Sequence, residues 1–201
     1  MSALPESISW WIGGALLLFW FVGAHNRLVR LRSAALVAYA ALDAALAKQL
    51  DYVQGRSTRA LAGSGVAKRD AAGESSLLSS VAQLSAMLAV TRLRPLEPSR
   101  IAALGTALHV MLNAWERLYP GEVLSFDAEG TLSLPAPLPG EAPVPALPAA
   151  SPFAWPEPSA AAEIARGQFN QAVAAYNHAI GQFPALFVAW AFRLHRASAL
   201  V

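Results

Sequence analysis

Residues 8–24 read ISWWIGGALLLFWFVGA, and residues 25–54 follow without a break as HNRLVRLRSAALVAYAALDAALAKQLDYVQ. The first stretch lies in a run from Ser7 to Asn26 that contains no Asp, Glu, Lys or Arg. Twenty helical residues rise about 30 Å, the thickness of a hydrocarbon core. The run is apolar on every face, unlike the one-sided stripe of a soluble surface helix. Trp10 and Trp11 stand near one end, where indoles favour the membrane interface. Val22-Gly23-Ala24 offers small residues of the kind a signal peptidase cuts after. The preceding segment, however, carries Glu6 and no Lys or Arg, the wrong charge for a signal peptide. The expectation is a retained anchor over residues 1–25. Arg27, Arg30 and Arg32 follow directly, and the positive-inside rule then places the bundle in the cytoplasm and the amino terminus outside.

Beyond the arginines the pattern changes and the helix continues. Leu28, Leu31, Ala35, Tyr39, Leu42, Leu46 and Val53 recur at helical spacing, which predicts one amphipathic helix to about Gln54, ending near Gly55. Residues 55–75 are rich in Gly, Ser, Lys and Arg and read as a basic loop. Gly63-Ser64-Gly65 with Lys68 lacks the spacing and the preceding strand of a phosphate-binding loop. A second helix is expected over 76–93, with Leu77, Val81, Leu84 and Leu88 on one face and Pro95 and Pro98 beyond its end. Ser99 is placed to cap a third helix carrying Ile101, Leu104, Leu108, Met111, Trp115 and Leu118. Short alternating runs over 123–126 and 131–134, around a four-residue turn, suggest a hairpin. Nine of the 14 prolines fall within 135–158, which reads as an extended linker. Ser159 is placed to cap a fourth helix reaching Phe183, with Phe169, Val173, Tyr176 and Ile180 on its stripe, and Pro184 interrupts it.

These elements predict an all-α fold. An amino-terminal transmembrane helix continues into an up-and-down antiparallel bundle, with a Pro-rich loop inserted. The corresponding segments are the anchor at 1–25, three bundle helices within 26–119, the hairpin and Pro-rich loop at 120–158, the fourth helix at 159–184, and an apolar tail at 185–201. The tail begins ALFVAWAF, too short to span a bilayer. Two readings of it stand: an interfacial segment with Arg193 and Arg196 at the headgroups, or burial against the bundle or a neighbour.

Composition agrees with membrane attachment. The 201-residue chain is 55% hydrophobic and only 14% charged, with mean hydropathy +0.39, against about 25% charged in an ordinary soluble domain. Lys and Arg exceed Asp and Glu by eight to four in residues 1–70, while residues 71–201 hold seven against nine. That asymmetry suits a membrane surface and is too weak for nucleic acid. The absence of cysteine excludes disulfides, a thiol nucleophile and thiolate metal sites.

Reactive constellations are few. His109, Asn113 and Glu116 share a helix face and could hold a divalent ion, although a solvated polar face explains them more simply. Asp43 and Asp51, two turns apart, lack the cleft that paired catalytic acids need, and ion pairing suits them better. No nucleophile elbow or dinucleotide fingerprint is present. No catalytic residue, cofactor, metal or small-molecule substrate is therefore expected. The expected partners are the lipid bilayer and, beyond it, other membrane proteins or a second copy of the chain.

Both ends of the expected bundle carry a patterned stretch. One is Asn26, Leu28, Val29, Leu31 and Arg32, continued by Leu42-Asp43, Leu46 and Asp51. The other is Ala165, Arg166, Phe169-Asn170, Val173, Tyr176-Asn177, Ile180 and Phe183-Pro184. Together they resemble the signatures of the LemA family of bacterial membrane proteins, and Leu118-Tyr119-Pro120 resembles a Tyr-Pro which that family places between them. The resemblance covers roughly 25–54 and 163–190. Gln54 stands where the family has Pro, Phe169 where it has Tyr, and the two loops diverge. The resemblance implies a membrane-anchored helical bundle and no defined catalytic activity. The function expected is that of a scaffold or adaptor at the cell membrane, with a lipid-interacting module, a metal-binding module or an enzyme as alternatives.

One geometric expectation follows from the antiparallel order. If Asn26 lies level with Phe183, equal rise pairs positions that sum to 209. Asp43 then faces Arg166, Tyr39 faces Asn170, and Arg32 faces Asn177, with Asp43–Arg166 as a register pin.

Overall fold

The computed structural model of the chain describes residues 6–62, 68–120, 123–126, 132–133, 154–156 and 160–200. Among the described residues five helices and three short strands follow in the order α1 (Glu6–Ala62), α2 (Lys68–Leu93), α3 (Pro98–Leu118), β1 (Val123–Phe126), β2 (Leu132–Ser133), β3 (Ala154–Pro156), α4 (Ala160–Gly181) and α5 (Ala185–Ala191). The fold is helical, with an amino-terminal apolar helix whose continuation packs into a bundle.

α1 is one helix of 57 residues, about 85 Å long at 1.5 Å per residue. Its character changes along its length. From Trp10 to Trp20 every side chain is exposed, whereas Leu28, Ala35, Leu42 and Gln49, and Tyr39, Leu46 and Val53, are buried. These two sets each repeat every seven residues, the spacing of a coiled-coil seam. α4 answers with Ala162, Phe169 and Tyr176 at the same interval, beside Ala165, Val173, Ala179 and Ile180. The alanines let the backbones approach, and the aromatic and branched residues fill the remaining space. Tyr39 meets Phe169 edge-on at 5.9 Å and Trp20 meets Phe183 at 4.8 Å, so the helices run antiparallel.

α2 and α3 form the second tightly packed pair. Leu77, Val81, Leu84 and Leu88 face Ile101, Leu104, Leu108, Met111 and Trp115, all buried. Each large side chain fully removed from water contributes about 1.5–3 kcal/mol. Arg100 closes the joint: its Nη1 donates to the Val90 carbonyl at the end of α2 (2.6 Å), and its Nε donates to Glu97 (2.8 Å).

Three boundaries differ from the sequence reading. α1 does not end at Gly55 but reaches Ala62, because a single helical glycine costs only about 1 kcal/mol and packing on both sides outweighs it. Val53 and Ser57 are buried, and Arg59 donates back to the Gly55 carbonyl. α2 begins at Lys68, so most of the expected basic loop is helix. Gly73 there allows a close approach: a Cβ would come within 2.5 Å of a Leu118 methyl. Ser99 is not the cap of α3; Glu97 occupies that position, with Pro98 in the first turn, where a missing N–H costs nothing.

β1 pairs antiparallel with β2, Ser125 opposite Ser133, and with β3, Leu124 opposite Trp155. The third strand was not expected, since its residues end the Pro-rich stretch. The rest of that stretch and Ser159 lie outside the described residues.

Candidate functional site

The carboxy-terminal signature assembles around two asparagines. Asn170 and Asn177 lie seven residues apart on one face of α4, about 10.5 Å along its axis. After α5 the chain turns back and runs along that face. Asn177 donates to the Ala197 carbonyl (2.7 Å) and accepts from the Ala197 N–H (2.9 Å). Asn170 donates to the Leu200 carbonyl (3.1 Å) and accepts from the Leu200 N–H (2.8 Å). Three residues of extended chain span about 10 Å, so the two amides match the tail's repeat. Each carries a donor and an acceptor, as a peptide group does, and together they stand in for a neighbouring strand. Ala197 and Leu200 are buried at the same positions. Arg32 does not meet Asn177, as the register had suggested, because that amide is already taken by the tail.

The turn that starts the tail is built on Arg193, which has φ 50°, in the left-handed region. The Leu194 N–H bonds the Ala189 carbonyl (2.8 Å) and the Arg193 N–H bonds the Trp190 carbonyl (3.3 Å). This is a Schellman closure of α5 with arginine where glycine is usual.

The Asp43–Arg166 pin does not form. Arg92 Nε of α2 donates to both carboxylate oxygens of Asp43 (2.9 and 3.0 Å), and Arg166 pairs with Glu163 on its own helix. The longitudinal register is close at mid-helix, where Tyr39 faces Phe169, one residue from the expected partner, but not at the end, where Phe183 packs on Trp20 and not beside Asn26. Axial rise sets the level of a residue, but rotation about each axis decides which side chains meet, and α2 stands nearer Asp43. The Asp43 charge and burial together push Tyr39 up to about 12, with burial the larger cause. The Tyr39 hydroxyl is buried without a hydrogen-bond partner.

The remaining signature residues divide by face. Leu28, Ala165, Val173, Tyr176 and Ile180 are core and Leu31 is half-buried, while Asn26 and Val29 are exposed. Asp51 is exposed on a cleft of about 520 Å³ between α1 and α2. Arg32 is exposed on a cleft of about 640 Å³, with Arg94, Arg193, His195, Tyr176 and Glu97 among its walls. Phe183 stays exposed beside Trp20, and a cis peptide joins it to Pro184.

The opposite end of the bundle holds a cluster that sequence reading missed. Glu74 is buried and accepts a short hydrogen bond from the Tyr119 hydroxyl. Arg56 lies over the Tyr119 ring at 4.1 Å and over Trp115 at 5.3 Å. Burial, followed by the bond to Glu74, raises Tyr119 to about 12. Tyr119 belonged to the suggested Tyr-Pro signature, but its partners came from stretches read as loop. The His109 face does not gather a metal site: His109 Nδ1 turns to the Gly105 carbonyl (3.1 Å), Asn113 and Glu116 are exposed, and no group of three metal-binding side chains occurs among the described residues.

Two described helices are long and apolar enough to cross a membrane, over Trp10–Ala62 and Ala71–Leu93. Comparison with protein-family models, curated proteins and solved structures finds no match to this chain.

Proposed function

We propose that this chain is a LemA-like, single-pass membrane protein whose bundle acts without catalysis as a scaffold or adaptor on the cytoplasmic side of a bacterial cell membrane. The observation that carries the reading is the continuity of α1. One uninterrupted helix exposes the apolar stretch from Trp10 to Trp20 and buries the seam of its remainder. Exposed rings such as Trp10 and Phe19, each 83% accessible, are costly in water and at home in lipid. α2 commits Leu77, Val81, Leu84 and Leu88 to the bundle core, which favours a single crossing. A rigid helix through the interface transmits position rather than chemistry, as a scaffold requires.

Alkaline carbonate washing should leave the intact chain in the membrane fraction, and a cytoplasm-active reporter fused after Val201 should be active. Release by carbonate would end the anchor reading, and activity of a periplasmic reporter alone would reverse the orientation. Crosslinking in membranes should capture a recurring protein partner on the bundle. Turnover of a substrate by the purified chain would replace the scaffold role.

A further inference from the structure

α5, ALFVAWA, has no polar side chain on any face. At 100° per residue its side chains separate into two sectors. Ala185, Val188 and Ala189 point inward and are buried. Leu186, Phe187 and Trp190 point outward and are 52%, 58% and 83% exposed, and Phe183 extends the same outward stripe. The small residues are thus inside and the large ones outside, the reverse of a helix whose outer face meets water.

The position of this face identifies what covers it. Phe183 packs on Trp20, and Phe192 packs on Phe21 (6.3 Å) and His25 (4.6 Å). α5 is therefore level with the last two turns of the uncharged run, whose first following cation is Arg27. Trp20 to Arg27 is about 10 Å of helix rise, and interfacial helices sink about 5–10 Å below the headgroups. On the bundle side of α5 lies the 640 Å³ cleft, where Arg32, Arg94 and Arg193 face one carboxylate, Glu97. Glu97 is itself bonded to Arg100 and near Arg94. The strained turn at Arg193 joins the two features, ending the apolar helix and turning the chain into the cationic cleft.

We propose that α5 is an in-plane interfacial helix, seated in the leaflet that α1 leaves, and that the Arg32–Arg94–Arg193 cleft above it binds the phosphate groups of anionic phospholipids. The inference rests on α1 being the anchor and adds a second attachment that holds the bundle at a set angle to the membrane.

The absence of cysteine allows single nitroxide labels on the full chain in phosphatidylcholine vesicles containing phosphatidylglycerol. Phe187→Cys reports α5, Leu17→Cys reports the anchor, and Ser85→Cys, exposed on α2, reports water. The expected result is a label at 187 that collides with oxygen and is shielded from a polar nickel chelate, as at 17 and unlike at 85. Chelate access at 187 equal to that at 85, with 17 still shielded, overturns the inference and leaves the anchor standing. Chelate access at 17 overturns both. For the cleft, native mass spectrometry should show phosphatidylglycerol retained over phosphatidylcholine, with a loss of about fivefold for each of Arg32→Gln, Arg94→Gln and Arg193→Gln. Equal retention of the two lipids by the unsubstituted chain overturns the phosphate assignment.

Discussion

Asn177 shows how much one side chain can organise. Its amide satisfies both backbone groups of Ala197, groups that would otherwise be desolvated without partners. Asn177→Ala should cost about 1–3 kcal/mol, measured by denaturant unfolding, with faster hydrogen exchange concentrated in residues 194–200. Asn170→Ala should act in the same way at Leu200. Tyr39 is the opposite case, a hydroxyl buried without a partner. Tyr39→Phe keeps the ring against Phe169 and removes the unsatisfied group, so it should raise stability by about 1 kcal/mol in the same assay. Asp43 and Arg92 hold good geometry, but Arg92 is 54% exposed. A double-mutant cycle should return a coupling under about 1 kcal/mol, while Asp43→Ala and Arg166→Ala should be additive.

At the level of elements, stripes were legible and ends were not. The faces of α2, α3 and α4 follow the apolar periodicity because each helix buries one side against a fixed neighbour. The ends depend on competition between local breakers and packing, which is why α1 runs through Gly55 and α3 starts at Pro98. The close of α5 is a third case. Arg193 sits in a left-handed conformation that costs a non-glycine residue about 1–2 kcal/mol. Arg193→Gly should recover about 1 kcal/mol, while Arg193→Val, β-branched at the same φ, should lose stability and loosen the tail. Thermal unfolding of the two variants in detergent separates them.

For the whole molecule, the buried Tyr39 and the half-buried Tyr119 couple folding to alkaline pH. Tyr39 and Tyr119 both titrate near 12 when folded, against about 10 when unfolded. A raised folded pKa gives stability that is fully present below pH 10 and is lost as pH rises toward 12. Through these groups the melting temperature should therefore be independent of pH below pH 10 and fall above it. The Tyr39→Phe/Tyr119→Phe pair should flatten the fall. A drop of equal steepness in the double variant would place its origin elsewhere.

The linear pattern alone determined the helical class, the change of character near Asn26, and the two stripes that pair α1 with α4, because periodicity and an uncharged run are properties of neighbours in sequence. It also brought Tyr39 to within one residue of its level on α4, since axial rise is constant, although Phe183 packs on Trp20 and not beside Asn26. Rotation is not constant from pair to pair, and only the packed structure decided that Asp43 meets Arg92 rather than Arg166. The return of the tail to Asn170 and Asn177, and the joining of Arg56, Glu74 and Tyr119, belong to the same class. Each unites residues far apart in the chain, and their contact depends on the three-dimensional path between them, which no local pattern encodes.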